Sequence, residues 1–197
     1  MTNVLLLGDS IRIHYQARVI EELGAEFSVS APEENCRFSG YTLNCLRWWL
    51  QDLPRPDIIH WNNGLWDTNH IYPEDGCFTP IEEYLINLKK ILRVLKKTGA
   101  KIIFATTTPV SVKRSTPRIN DSTFHINGEI AEYNKRALEL MKSENIPVND
   151  LFTIINADIE KYICDDLIHP SEDGIMVLGK AVANAIKFHR QNIIEIQ

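Results

Sequence analysis

The chain has 197 residues, 44% of them hydrophobic and 24% charged, enough to bury one sizeable core and too few for two ordinary domains. Its 21 Lys and Arg against 26 Asp and Glu leave a net charge of −5, so no basic footprint for a phosphate backbone exists and nucleic-acid binding is not expected. No apolar run reaches the ~18 residues of a membrane span, and Met1-Thr2-Asn3 offers no basic leader, which predicts a cytoplasmic protein without membrane attachment.

Apolar blocks alternate with segments of helical period. Val4-Leu5-Leu6-Leu7 is an all-apolar run ending at Gly8, the pattern of a strand buried on both faces of a parallel sheet. A helix is expected over 11–23, closed by Gly24, then strand two at 25–31, a loop at 32–40 and a second helix at 42–51, stopped by Pro54 and Pro56. Asp57-Ile58-Ile59-His60-Trp61 reads as strand three and ends in the turn-rich Asn62-Asn63-Gly64. Over 80–97, Ile81, Leu85, Leu88, Ile91, Leu92 and Leu95 recur at helical spacing, with Thr98-Gly99 as the stop. Strand four is expected at 101–107, a long loop at 108–128, a helix at 129–142, a short strand at 146–149 and a last amphipathic helix at 174–190. The alternation predicts one α/β domain over residues 1–197, a three-layer α/β/α sandwich around a parallel sheet of about five strands. Ligands of such folds bind beyond the carboxyl ends of the strands, so a candidate site residue should fall just after a strand.

Ser10 meets that condition directly, in Gly8-Asp9-Ser10 at the end of strand one. A serine there suits a helix N-cap as well as a nucleophile. Near the other end, Asp166-Leu167-Ile168-His169 sets a carboxylate three residues before an imidazole, a spacing that lets the carboxylate accept from Nδ1 while Nε2 takes a proton from a hydroxyl. Pro170 keeps His169 out of helical backbone and in a loop before the last helix. The alternative is an acidic helix lead-in with an exposed histidine. Together the segments supply nucleophile, base and orienting acid on one predicted rim.

Four short blocks, each after a predicted strand or in the last loop, then read in order: Gly8-Asp9-Ser10, Ser39-Gly40-Tyr41-Thr42, Gly64-Leu65-Trp66-Asp67 and Asp166-Leu167-Ile168-His169. In this pattern the chain resembles the GDSL, or SGNH, hydrolases over nearly its whole length. The resemblance implies a flavodoxin-like sandwich and ester hydrolysis without metal or other cofactor. It casts Ser10 as nucleophile, His169 as general base and then acid, Asp166 as the group holding the imidazole, and the N–H groups of Ser10 and Gly40 as oxyanion donors. One departure stands out, because the third block of the family reads Gly-x-Asn-Asp and Trp66 occupies the slot of the asparagine that serves as third donor. Its place falls to the Trp66 indole N–H or to Asn63 or Asn62 at the end of the same strand, with Asn63 the expected donor.

Asp9, Arg37, Asn62 and Trp66 are the further candidates for substrate contact, Trp66 as a face for a sugar ring and Arg37 or Arg12 as cations for an anionic group. The expected substrate is a small ester, a short acyl group such as acetyl on a polar or carbohydrate alcohol. An O-acyltransferase using the same serine and a weakly active or non-catalytic ligand-binding module are the alternatives. His60 is expected in the core, and His14, His70, His125 and His189 have no assigned role. Cys36, Cys45, Cys77 and Cys164 form no C-x-x-C pair and read as reduced thiols without a metal. Tyr133, Asn134 and Asp150 are assigned to packing and capping.

Overall fold

The computed structural model describes residues 1–71, 73–113 and 124–194, without the side chains of residues 73 and 191–194. Five parallel strands, β1 (Thr2–Leu7), β2 (Phe27–Ser30), β3 (Ile58–Trp61), β4 (Lys101–Ala105) and β5 (Val148–Asn149), lie in the order β2-β1-β3-β4-β5. The order reverses at β1, so the chain builds outward first on one side and then on the other. That reversal leaves a crevice at the carboxyl ends of β1 and β3, where ligands of doubly wound sheets sit.

Successive strand residues face opposite layers, which divides the core in two. Val4 and Leu6, with Ile58 and Ile103, pack against Tyr15 and Val19 of α1 (Ser10–Leu23) and against Leu178, Val182 and Ile186 of α7 (Glu172–Ile194). Leu5 and Leu7, with Ile59, Trp61 and Phe104, pack against α2 (Ser39–Asp52), α3 (Ile81–Lys96) and α4 (Asn127–Ser143) through Leu46, Leu88, Ile91, Leu95 and Met141. The fully apolar strand predicted at Val4-Leu7 is explained by these two buried faces. His60 is buried in β3 as expected; Asn149 Nδ2 bonds its Nε2 at 3.2 Å, and burial holds the imidazole neutral, its pKa pushed down to about 3.

Several boundaries differ from the sequence expectation. Residues Gly24–Glu26 form a 3₁₀ turn, with Gly24 at φ 69°, so β2 is shorter than 25–31. β4 stops at Ala105 because the side chain of Thr106 turns to Asp150 Oδ1 at 2.9 Å and the backbone of Thr107 is clamped by Asn134, N–H to Oδ1 and Nδ2 to O, both at 2.8 Å. Two short helices, α5 (Leu151–Asn156) and α6 (Ile159–Tyr162), were not anticipated; Asp150 and Asp158 cap them through Thr153 N and Lys161 N. Part of the loop expected at 108–128, residues 114–123, lies outside the described residues. Among the described residues no helix is long and apolar enough to cross a membrane.

Candidate active site

β1 ends at Leu7 and α1 starts at Ser10, two residues of tight turn later. Gly8 is required there, since a Cβ at that position would stand 2.8 Å from Arg12 Cβ. Asp9 is the N-cap of α1, its Oδ1 accepting from Ile11 N at 2.9 Å, so the helix presents Ser10 in its first turn. First-turn N–H groups have no intrahelical acceptor and carry the positive end of the helix dipole.

The loop before α7 comes back to this point. His169 Nε2 lies 2.8 Å from Ser10 Oγ, and His169 Nδ1 lies 2.6 Å from Asp166 Oδ2. Asp166 Oδ1 accepts from the backbone N–H groups of Ile168 and His169 at 2.9 and 2.8 Å, an arrangement that the left-handed backbone of Leu167, φ 70°, makes possible. Burial pushes the Asp166 carboxyl up, but these N–H donors and the imidazole outweigh it and hold the group well below the usual carboxylate range. An ionised carboxylate, an imidazole and a hydroxyl thus stand in one hydrogen-bonded line.

A model of the GDSL-like Lipase/Acylhydrolase family matches residues 6–175, which span both ends of that line. The chain belongs to this family. Its fold is shared with a GDSL-like lipase from Bacteroides thetaiotaomicron, at TM-score 0.73 and 17% identity over 95% of this chain and 89% of that one. It is also shared with Axe2, an acetylxylan esterase from Geobacillus stearothermophilus, at TM-score 0.70 and 18% identity over 93% of each chain. No curated protein matches the chain in sequence.

Beside Ser10 and His169 opens a cleft of about 350 Å³, lined also by Leu65, Trp66, Asn69, Ile71, His125 and Ile168. Trp66 is therefore where the sequence reading expects it. The other candidates are placed differently. Asn63 does not line the cleft: its Oδ1 accepts from Trp61 Nε1 at 2.7 Å and its Nδ2 donates to Thr42 Oγ1 and Arg37 O at 2.9 and 3.1 Å, so both ends of the amide are spent on the fold. Asn62 is likewise turned inward, its Nδ2 on Ala105 O at 2.9 Å. Asp9 is buried as the helix cap, and Arg12 is buried behind it, donating to Gln16 Oε1 and Glu34 O at 2.7 and 2.8 Å. Arg37 lies over the Tyr41 ring, 4.7 Å from its centroid, outside the cleft lining.

Gly40 is the second residue of α2, whose first-turn N–H groups, like those of α1, lack intrahelical acceptors. The start of this helix, at Ser39 rather than Thr42, is set from far away in the chain. Asp67 accepts from Ser39 N at 3.0 Å and from Ser39 Oγ at 2.6 Å, and Asn87 Nδ2 donates to the same Ser39 Oγ at 3.2 Å. Burial pushes the Asp67 carboxyl up to about 7 against the Ser39 hydrogen bonds, which favour its charge.

Three residues near the site escaped the sequence reading. Asn69 lines the cleft, and its buried Oδ1 has no partner among the described residues. His14 stacks on His169 with ring centroids 4.7 Å apart; its position one helical turn after Ser10 was the available signal. Asp67 was visible only as the end of the third block. One group of possible metal ligands occurs among the described residues, His70, Cys77 and Glu129. Its His70 Nε2 and Glu129 Oε2 are 2.6 Å apart, the distance of a direct hydrogen bond, whereas two ligands of one tetrahedral zinc stand about 3.3 Å apart. His70 Nδ1 also lacks the second partner that a ligating histidine normally has.

Proposed function

We propose that the protein is a serine ester hydrolase that forms an acyl-enzyme on Ser10. The observation that carries this reading is the line Ser10 Oγ, His169 Nε2, His169 Nδ1, Asp166 Oδ2, with steps of 2.8 and 2.6 Å. In the first half-reaction His169 takes the Ser10 proton as Oγ attacks the ester carbonyl, and the imidazolium is stabilised by ionised Asp166. The oxyanion faces N–H groups of Ser10 and Gly40, one from each of two helix N-termini. Collapse releases the alcohol, which takes the proton from Nε2. Water then repeats the sequence to free the acid. With Asn63 bound into the fold, the third donor on this reading is the side-chain amide of Asn69, another residue of the cleft lining.

The substrate we propose is a short acyl ester, such as an acetyl ester, of a small polar or carbohydrate alcohol. Trp66 at the cleft supports this by offering an aromatic face, and the acetylxylan esterase fold neighbour is in keeping with it. Hydrolysis of p-nitrophenyl acetate, butyrate and octanoate by wild type and Ser10→Ala is the test. Wild-type turnover that vanishes in the variant is expected, and full turnover in Ser10→Ala would overturn the mechanism. Transfer of the acyl group to an added alcohol would instead identify an acyltransferase using the same intermediate.

A further inference from the structure

Behind the nucleophile lies a second, internal space of about 10 Å³, lined by Asp9, Arg12, Tyr15, Asn62 and Thr108 among other residues, every one of them buried. Four of these lining residues each carry a buried polar atom, Asp9 Oδ2, Arg12 Nε, Tyr15 Oη and Thr108 Oγ1, that has no hydrogen-bond partner among the described residues. Buried polar groups left unpaired are rare and costly, and four around one small cavity mark a site rather than four accidents. The volume is that of a single water molecule, which needs roughly 10–15 Å³ and two to four polar partners. The chemistry matches as well. Arg12 Nε and the Tyr15 hydroxyl donate, while Asp9 Oδ2 and Thr108 Oγ1 accept, which is the complement of water's two lone pairs and two hydrogens. Arg12 disfavours a cation there, Asp9 disfavours an anion, and the polar lining disfavours an apolar guest.

We propose that this cavity is a built water site, and that its water, by holding Asp9 Oδ2, fixes the cap of α1 and with it the position of Ser10. Asp9 is on this account a positioning residue. One carboxylate oxygen caps Ile11 N and the other is anchored through the water, so the carboxylate cannot swing away from the helix start. The charge of Asp9 is faced by Arg12 and Tyr15 on α1, Cys36 from the loop before α2, Asp67 after β3 and His169 before α7. Burial pushes the Asp9 carboxyl up to about 6, against the Ile11 N–H, His169 and Arg12. Loss of a water bond would push it further.

The water site itself does not depend on the esterase reading; only its effect on turnover does. The test uses Tyr15→Phe and Thr108→Val, neither of which touches the cleft, with Thr108→Ser as the conservative control. A high-resolution crystal structure of wild type should show one ordered water on the four atoms. Carbon-13 NMR of the Asp9 carboxyl should show its acid dissociation weakened roughly tenfold in Tyr15→Phe and Thr108→Val, where loss of the water takes away the hydrogen bond to Asp9 Oδ2, and restored in Thr108→Ser. Turnover should fall severalfold in kcat with KM unchanged. A dry cavity, or an Asp9 titration that Tyr15→Phe leaves in place, would overturn the proposal. If wild type hydrolyses no ester while the crystal and NMR results hold, the esterase reading fails and the water site stands.

Discussion

Asp166 and Asp67 are the same side chain placed in loops that follow strands or precede helices near one site, and they are held in opposite ways. Asp166 keeps half of its side chain exposed, yet two backbone N–H groups and an imidazole converge on it, and it stays ionised far below neutrality. Asp67 is fully buried and also receives N–H and O–H donors from Ser39, yet burial wins and its proton is held to about pH 7. Donor count alone therefore does not set the charge of a carboxylate; what water it has lost matters as much. The exposed acid is suited to balancing a transient imidazolium. The buried one is suited to tying β3 to the start of α2.

Removing members of the catalytic line should have the largest effects. Ser10→Ala and His169→Ala are each expected to lower kcat by about 10⁶, and Asp166→Ala by about 10⁴, because residues acting as a unit fail nearly as one. Steady-state kinetics on a p-nitrophenyl ester checks this, and an Asp166→Ala loss of less than tenfold would remove Asp166 from its role. Asn69→Ala is expected to lower kcat by about 10²–10³ with little change in melting temperature, the cost of one oxyanion donor. If Asn69→Ala were silent and Trp66→Phe were not, the indole N–H would be the third donor instead.

The burial of Asp67 is read out in stability. Asp67→Ala leaves the Ser39 donors unpaired in a buried place and should cost about 1–3 kcal/mol in denaturant unfolding. The smaller effect is one of pH. A carboxyl whose folded pKa is raised binds protons more tightly in the folded than in the unfolded chain, so its contribution to stability declines as pH rises from about 4 through about 7. The melting temperature of Asp67→Asn, compared with wild type, should therefore improve steadily as pH rises through 7. A gap that does not change with pH would mean that Asp67 is ionised throughout.

What the sequence discloses here follows from the range of the interactions involved. The five strands, the apolar stripe of α3, and the Ser10 and Asp166-x-x-His169 segments are local patterns, and the strands lie within a few residues of the ranges that the spacing gave. Contacts between distant segments were hidden. Ser39 starts α2 because Asp67, 28 positions on, accepts from it, and nothing next to Ser39 announces that. Asn63 looked free at the end of β3, but Trp61, Thr42 and the Arg37 carbonyl claim it once the chain is folded. Arg12, a cation expected near substrate, is instead buried against Gln16 and the Glu34 carbonyl. The short helices α5 and α6 fell below the length at which periodicity can be read, although their caps, Asp150 and Asp158, stand in plain sight.

The proposed mechanism requires that His169 activates Ser10. Incubation with a fluorophosphonate, followed by intact-mass measurement and peptide mapping, tests it without knowledge of the natural substrate. A single adduct on Ser10 is expected, lost in Ser10→Ala and strongly slowed in His169→Ala. An adduct on another serine, or none on wild type, would contradict it.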